Sequence, residues 1–311
     1  RGAVRKAVML DRLAGNTALK QDLAAALAAD RLAHSILLVG ERGCGVGFAA
    51  RCLAADYLYP GGGPHAEAVL RQEDTECITI RGEGASGQIK VERIRAAREE
   101  ITHSALAEDA RGRVMFVYGA QDMNQSSANA LLKIIEEPPE GVLFLFTATS
   151  AAAVLPTIRS RCAAYTITPV PLAECAALLR RTLPGLSRDA ADDLAFLYEG
   201  HIGLGLAACR QPQAKEALAR ARQFAGYAAG QDSYRAFALL TGLEKDRPAA
   251  AAMLEQLGFL GSAALRRPGY GGLESARAAV LLRAAGRARD ALRANGNLRL
   301  TLAVLAAESC R

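Results

Sequence analysis

Five short segments rich in Val, Ile and Phe alternate with helical patterns along the first half of this chain. They are SILLVG (35–40), ECITI (76–80), RVMFVYG (113–119), VLFLFTAT (142–149) and AYTITPV (164–170). Several are apolar on successive residues. A strand with one wet face alternates apolar and polar side chains, whereas a strand covered on both faces does not, and such strands pair in parallel. Parallel neighbours need crossover helices, and the intervening sequence supplies them. ALKQDLAAALAAD precedes the first segment. VERIRAAREEIT, with Val91, Ile94, Ala97 and Ile101 on one side, precedes the third. SSANALLKIIEE precedes the fourth, and Pro138, Pro139 and Gly141 stop it. The pattern predicts a doubly wound α/β domain over residues 1–168.

At Pro169-Val170-Pro171 the composition shifts and strands largely stop. LAECAALLRRTL and RDAADDLAFLYEG read as paired helices, giving a small helical domain over 169–210. Residues 211–311 are rich in Ala, Arg and Leu and helical by pattern, broken by GLEKDRP and by RRPGYGG (266–272), so a third, all-helical domain is expected there. The segment YPGGGPHAEAVLRQED (59–74) begins with turn formers and reads as a surface connection. A chain of 311 residues accommodates two or three domains.

A net charge of +6 permits contact with nucleic acid without requiring it. The seven cysteines are odd in number, form no C-x-x-C pair and accompany nothing that resembles a secretory signal, so a reduced cytoplasmic setting is expected. No apolar run reaches the ~18 residues of a membrane span. His34, His65, His103 and His201 are scattered and read as ordinary core or surface histidines. The stretch RGAVRKAV before Met9 carries no structural expectation.

The stretch GERGCGVGF, Gly40 to Phe48, follows the first predicted strand, where a phosphate-binding loop would stand. Such a loop reads G-x-x-x-x-G-K-[ST]: backbone amides cradle phosphates, the Lys neutralises them and the hydroxyl holds Mg²⁺. Gly40, Gly43 and Gly45 keep the frame. Val46 stands at the Lys position and Gly47 at the hydroxyl position. The loop is expected to survive as scaffold, at most a loose anion cradle, and no cofactor is expected.

Residues 129–162, NALLKIIEEPPEGVLFLFTATS…LPTIRSRC, read as an amphipathic helix, a Pro-Pro stop, a buried strand and a basic turn at Arg159 and Arg161. By themselves, two arginines in a turn are a solvated surface. The stretch closely resembles the clamp-loader branch of the AAA+ proteins, whose members carry NALLK-x-x-EEPP and end their nucleotide-binding domain in Ser-Arg-Cys. RLAHSILLVG resembles the lead-in to that family's P-loop strand, GQIKVERIRAAREEI the segment before its Walker B strand, and NLRLTLAVLAAE (297–308) the end of its collar helices.

The resemblance implies an AAA+ domain, a helical lid and a helical collar. It makes Arg161, between Ser160 and Cys162, a finger pointing into the ATP site of a neighbouring subunit, where a planar permanent cation stabilises charge on the γ-phosphate. Arg159 does not match the family position and reads as a surface or interface charge. Counting back from Asn129, the Walker B acidic pair falls on Tyr118 and Gly119. Asp122, three residues out of register, reads as a helix cap or loop residue. The sensor 1 residue matches Thr149, and Gly203 takes the place of the sensor 2 arginine.

The Lys, the Mg²⁺ ligands and the cis arginine are therefore missing together. The implied role is a non-hydrolysing stator of the bacterial DNA polymerase III clamp loader. Its partners would be gamma/tau and delta subunits, with the sliding clamp and primer-template DNA engaged through the assembly. The four-Cys zinc module frequent in this branch is not matched, since Cys52 and Cys77 stand alone in that region, and no metal is expected. Two other readings compete: an active motor subunit with unconventional loops, and a basic helical DNA-binding module, suggested by LLRAAGRARDALRANGNLR, on an inert α/β scaffold.

Overall fold

The computed structural model describes residues 8–84, 87–102 and 107–310; His103 and the stretch before Val8 lie outside them. The chain divides into two compact units, Arg1–Leu178 with Gly200–Gly203, and Leu179–Glu199 with Leu204–Arg311.

The first unit carries a five-stranded, all-parallel sheet. Its strands are β1 (Ser35–Val39), β2 (Cys77–Arg81), β3 (Arg113–Tyr118), β4 (Val142–Ala148) and β5 (Ala163–Thr166), in the spatial order β2-β3-β4-β1-β5. β1 lies between β4 and β5, with Leu37 opposite Phe146 in β4 and Ala164 in β5. Every residue of β1 and β4 is buried, as their unbroken apolar runs predict. The predicted strand at 164–170 is shorter than expected. Ile167 N–H still bonds Val39 O at 2.7 Å, but Thr168 turns to the Asn16 side chain, and Pro169 and Pro171 have no N–H to continue a ladder.

Helices cover both faces. On one side α1 (Thr17–Ala28), α2 (Val46–Leu58) and α3 (Pro64–Arg71) pack Leu23, Leu53, Leu58 and Val69 against Ile36, Leu38, Phe116 and Leu145. On the other, α4 (Val91–Ile101), α5 (Gln125–Glu136) and α6 (Pro156–Arg159) pack Ile94, Leu131, Ile135 and Ile158 against Leu37, Val39, Val117 and Phe146. The α3 helix corrects the reading of 59–74 as a surface connection. Gly61, Gly62 and Gly63 make the turn, all at positive φ. Pro64 then starts a helix at N1, and Ala66 and Val69 are wholly buried.

Helix α7 (Leu172–Thr182) runs across the division. It is followed by α8 (Arg188–Leu197) and α9 (Ile202–Arg210), then by α10 (Pro212–Ala229), α11 (Ser233–Thr241), α12 (Arg247–Arg266), α13 (Ser275–Arg293) and α14 (Leu298–Ser309). In the second unit α12 packs on α10 and α13, and α14 on α11 and α13. Asp232, Asp246 and Asn297 cap α11, α12 and α14 with side-chain acceptors. Many arginines here are tied to neighbours. Arg287 pairs with Glu308 and Arg299 with Glu244, while Arg247 donates to the carbonyls of Leu292 and Gly296.

Candidate functional site: a refilled phosphate loop

The glycine loop joins the carboxyl end of β1 to α2, where a parallel sheet presents its ligand crevice. Gly43 and Gly45 take φ of +94° and +92°, so the loop keeps a backbone suited to glycine. Gly40 is glycine for a packing reason, because a Cβ there would lie 2.5 Å from the carbonyl oxygen of Ile167 and 2.9 Å from Val46 Cγ2. Val46 thus sits against the start of the loop and joins the apolar cluster beneath it, where a lysine would instead extend toward a phosphate.

At the end of β3, the two expected acidic positions are filled by Tyr118 and Gly119. The Tyr118 ring stacks on Phe116 with centroids 5.5 Å apart and carries the Arg81 guanidinium 5.1 Å from its own centroid. Its hydroxyl accepts a hydrogen bond from Gln72 Nε2 at 3.3 Å. Burial holds the phenol above its ordinary range, against the opposing pull of Arg51. The same ring edge lies where a side chain on Gly47 would go, with Tyr118 Cε1 3.4 Å from an ideal Cβ and Arg51 Nη1 3.7 Å from it. The residue replacing the metal ligand therefore fills the space beside the residue replacing the hydroxyl.

Gly119 adopts φ +79° and gives its N–H to Thr147, at 3.1 Å to O and 3.2 Å to Oγ1. Asp122 lies in a 3-10 turn, Ala120–Asp122, and folds its carboxylate back over Gly119, 2.5 Å from where a Cβ would stand. It is a turn residue, and the N-cap of α5 is Asn124, whose side chain accepts from Ser127 N–H at 2.9 Å. Thr149 is exposed just beyond β4, while the buried threonine at this strand end is Thr147. Gly203 gives its N–H to the carbonyl of Gly43 at 2.8 Å, and a Cβ on it would lie 3.0 Å from that oxygen. The position expected to carry a sensor arginine thus meets the loop through bare backbone. Arg51, Gln72, Arg81 and Thr147 were absent from the sequence reading, because none belongs to a motif.

Arg161 follows α6 in the helical layer opposite to α2. Its Nε donates to Glu136 Oε1 at 2.6 Å, and Nη2 lies 2.5 Å from the same oxygen. Nη1 donates to Thr157 O at 3.0 Å and Ser160 Oγ at 3.3 Å. Cys162 packs against the apolar core beneath α4, α5 and α6, and burial pushes its thiol up to about 12. Arg159 is exposed and donates to Ala151 O at 3.3 Å. Among the described residues no group of three His, Cys, Asp or Glu could hold a metal ion, and no helix is long and apolar enough to cross a membrane.

A family model described as DNA polymerase III, delta subunit, matches residues 15–171, just over half of the chain. The chain belongs to that family. The match covers the whole sheet, the glycine loop and Arg161, so the clamp-loader resemblance read from residues 129–162 holds. Among curated relatives of this DNA polymerase III chain, subunit gamma/tau of Mycobacterium tuberculosis is 36% identical over 170 residues, 51% of this chain and 28% of that protein. Subunit delta′ of Haemophilus influenzae is 31% identical over 153 residues, 46% of this chain and 45% of that protein. Escherichia coli delta′ is 30% identical over 145 residues, 46% of this chain and 42% of that one. The chain therefore spans less than half the length of each of these relatives. A solved DNA polymerase III gamma subunit-related protein from Thermotoga maritima shares the fold, with a TM-score of 0.54 at 18% identity over 92% of this chain and 99% of that one.

Proposed function

We propose that this member of the DNA polymerase III family is a delta-prime-type stator. In this reading it is a clamp-loader subunit that holds a fixed place in the ring, neither binds nor hydrolyses ATP, and supplies Arg161 to the ATP site of an adjacent subunit. Residues 1–168 serve as the AAA+ domain, 169–210 as a helical lid and 211–311 as a helical collar for assembly. Its partners are gamma/tau and delta subunits in the cytoplasm, and the sliding clamp and primer-template DNA are engaged through the assembled ring, chiefly by phosphate contacts.

The observation that carries this reading is the packing of Tyr118 against Gly47. A metal-nucleotide site needs a carboxylate at the first position and a hydroxyl at the second. Here one aromatic ring takes the room of both and is held by Phe116, Gln72, Arg51 and Arg81. The pairing of Arg287 and Arg299 with carboxylates also favours the collar over a DNA-binding role for the arginine-rich C-terminal helices. Calorimetric titration of the purified chain with Mg-ATP, at protein concentrations that reveal millimolar affinity, tests the reading. The expected result is no binding heat; stoichiometric binding followed by hydrolysis moves the chain to the motor class.

A further inference from the structure

A guanidinium that stabilises charge on a phosphate must present a free edge of N–H donors. Arg161 has no such edge at rest. Nε and Nη2 both grip Glu136 Oε1, and Nη1 is engaged by Thr157 O and Ser160 Oγ, so all three nitrogens have partners within the chain. Glu136 is the last residue of α5, and the Pro138-Pro139 stop that follows fixes where its side chain emerges. Both partners remain accessible, with side chains 36% and 47% exposed, so this is an open contact that a competing anion can reach.

We propose that Glu136 is a positioning residue that parks the Arg161 guanidinium, and that the terminal phosphate of a nucleotide on the neighbouring subunit displaces its carboxylate. The inference rests on the finger reading of Arg161. The exchange is chemically even-handed: a carboxylate and a phosphate oxygen offer the same planar fork the same kind of acceptor, and the phosphate carries more charge. An exposed pair of this type is weak, which suits a contact that has to open. The backbone bond to Thr157 and the short α6 turn keep the arginine oriented outward while Glu136 lets go. Arg159 has no part in this, since its guanidinium bonds the Ala151 carbonyl.

Two measurements test the proposal on the full chain. In the isolated protein, the ¹H–¹⁵N resonance of the Arg161 Nε–H, identified by its loss in Arg161→Ala, should be protected from solvent exchange in the wild type and exposed in Glu136→Gln. In the ring reconstituted with cognate gamma/tau and delta subunits, Glu136→Gln should raise kcat for ATP hydrolysis about two- to five-fold, the range expected when an exposed ion pair is removed from the resting state, with KM little changed. Arg161→Ala in the same ring separates the two ideas. If it leaves the rate unchanged, the finger reading itself fails. If it lowers the rate while Glu136→Gln leaves kcat unchanged or lowers it, the finger stands and the parking role of Glu136 is overturned.

Discussion

Gly47 offers a direct test of the claim that the phosphate loop has been refilled by a side chain. It is the second residue of α2, and a Cβ placed on it stands 3.4 Å from Tyr118 Cε1, inside ordinary van der Waals contact. Alanine therefore fits. It also removes the conformational cost of glycine in a helix, up to about 1 kcal/mol. Gly47→Ala should raise the melting temperature by roughly 2–4 °C on the usual scaling for units of this size.

Threonine, the residue an active loop carries, extends branch atoms a further ~1.5 Å beyond Cβ. The ring cannot retreat freely, being stacked on Phe116, bonded to Gln72 and covered by the Arg81 guanidinium. Gly47→Thr is then an overpacking substitution costing about 1–3 kcal/mol, opposite in sign to alanine. Thermal and urea unfolding followed by circular dichroism give both values. Repeating Gly47→Thr in a Tyr118→Ala background closes a double-mutant cycle, in which a coupling of about 1 kcal/mol or more is expected for groups in contact. A coupling within ~0.5 kcal/mol of zero, with threonine as stable as alanine, would refute the idea that the Tyr118 ring occupies the site.

Two further outcomes follow from buried groups around α2. Asp56, only 4% exposed, accepts backbone N–H bonds from Val8, Met9 and Leu10 at 2.8–3.1 Å, so Asp56→Ala strands three donors and should cost about 3 kcal/mol or more, with Asp56→Asn losing less because it keeps one acceptor; equal losses measured by urea unfolding would count against this account. Burial, assisted by the nearby charge of Asp56, pushes the Cys52 thiol up to about 12, and burial with Glu41 pushes Cys44 up to about 11. Unfolded thiols lose their protons near ~8.5, so above that pH only the unfolded state gains charge, and each thiol should lower stability by up to ~1.4 kcal/mol per pH unit until its folded value is reached. Urea midpoints at pH 7.5, 9 and 10 in reductant should fall only on the alkaline side, with a shallower slope in Cys52→Ala, and a flat profile would contradict the assignment.

Strands that are apolar on successive residues could be read directly from the sequence, since only burial on both faces allows SILLV or VLFLF to remain in a folded chain. The α3 helix was hidden because three glycines and a proline dominate the local signal, while the evidence for it is the burial of Ala66 and Val69 against a distant core. The residues at the loop and strand positions, Val46, Gly47, Tyr118 and Gly119, could be named from the sequence. The contacts those residues make could not. The filling of the site joins residues 47, 51, 72, 81 and 118, which come from three separate elements and the turn after α3, and no spacing rule connects them. Glu136 and Arg161 likewise meet only because the Pro-Pro stop and β4 bring the end of α5 beside the turn after α6.

Packing and backbone geometry account for most of the loop's glycines without a bound phosphate. Gly40 must clear the Ile167 carbonyl, Gly43 offers its carbonyl to Gly203, and Gly47 leaves room for Tyr118. Gly40 is required by packing and Gly43 and Gly45 by their positive φ, whether or not a phosphate ever binds, while position 47 has room for a methyl group and nothing larger. The replacements are also mutually dependent. Val46 packs under the loop, and the Tyr118 ring leaves position 47 no room for a side chain beyond Cβ. Restoring one motif residue alone therefore meets a side chain already in place: a hydroxyl at 47 meets the ring, and a carboxylate at 118 abandons the contacts with Phe116 and Gln72. Arg161 lies on the opposite helical layer, so the packing at positions 46, 47 and 118 places no constraint on it.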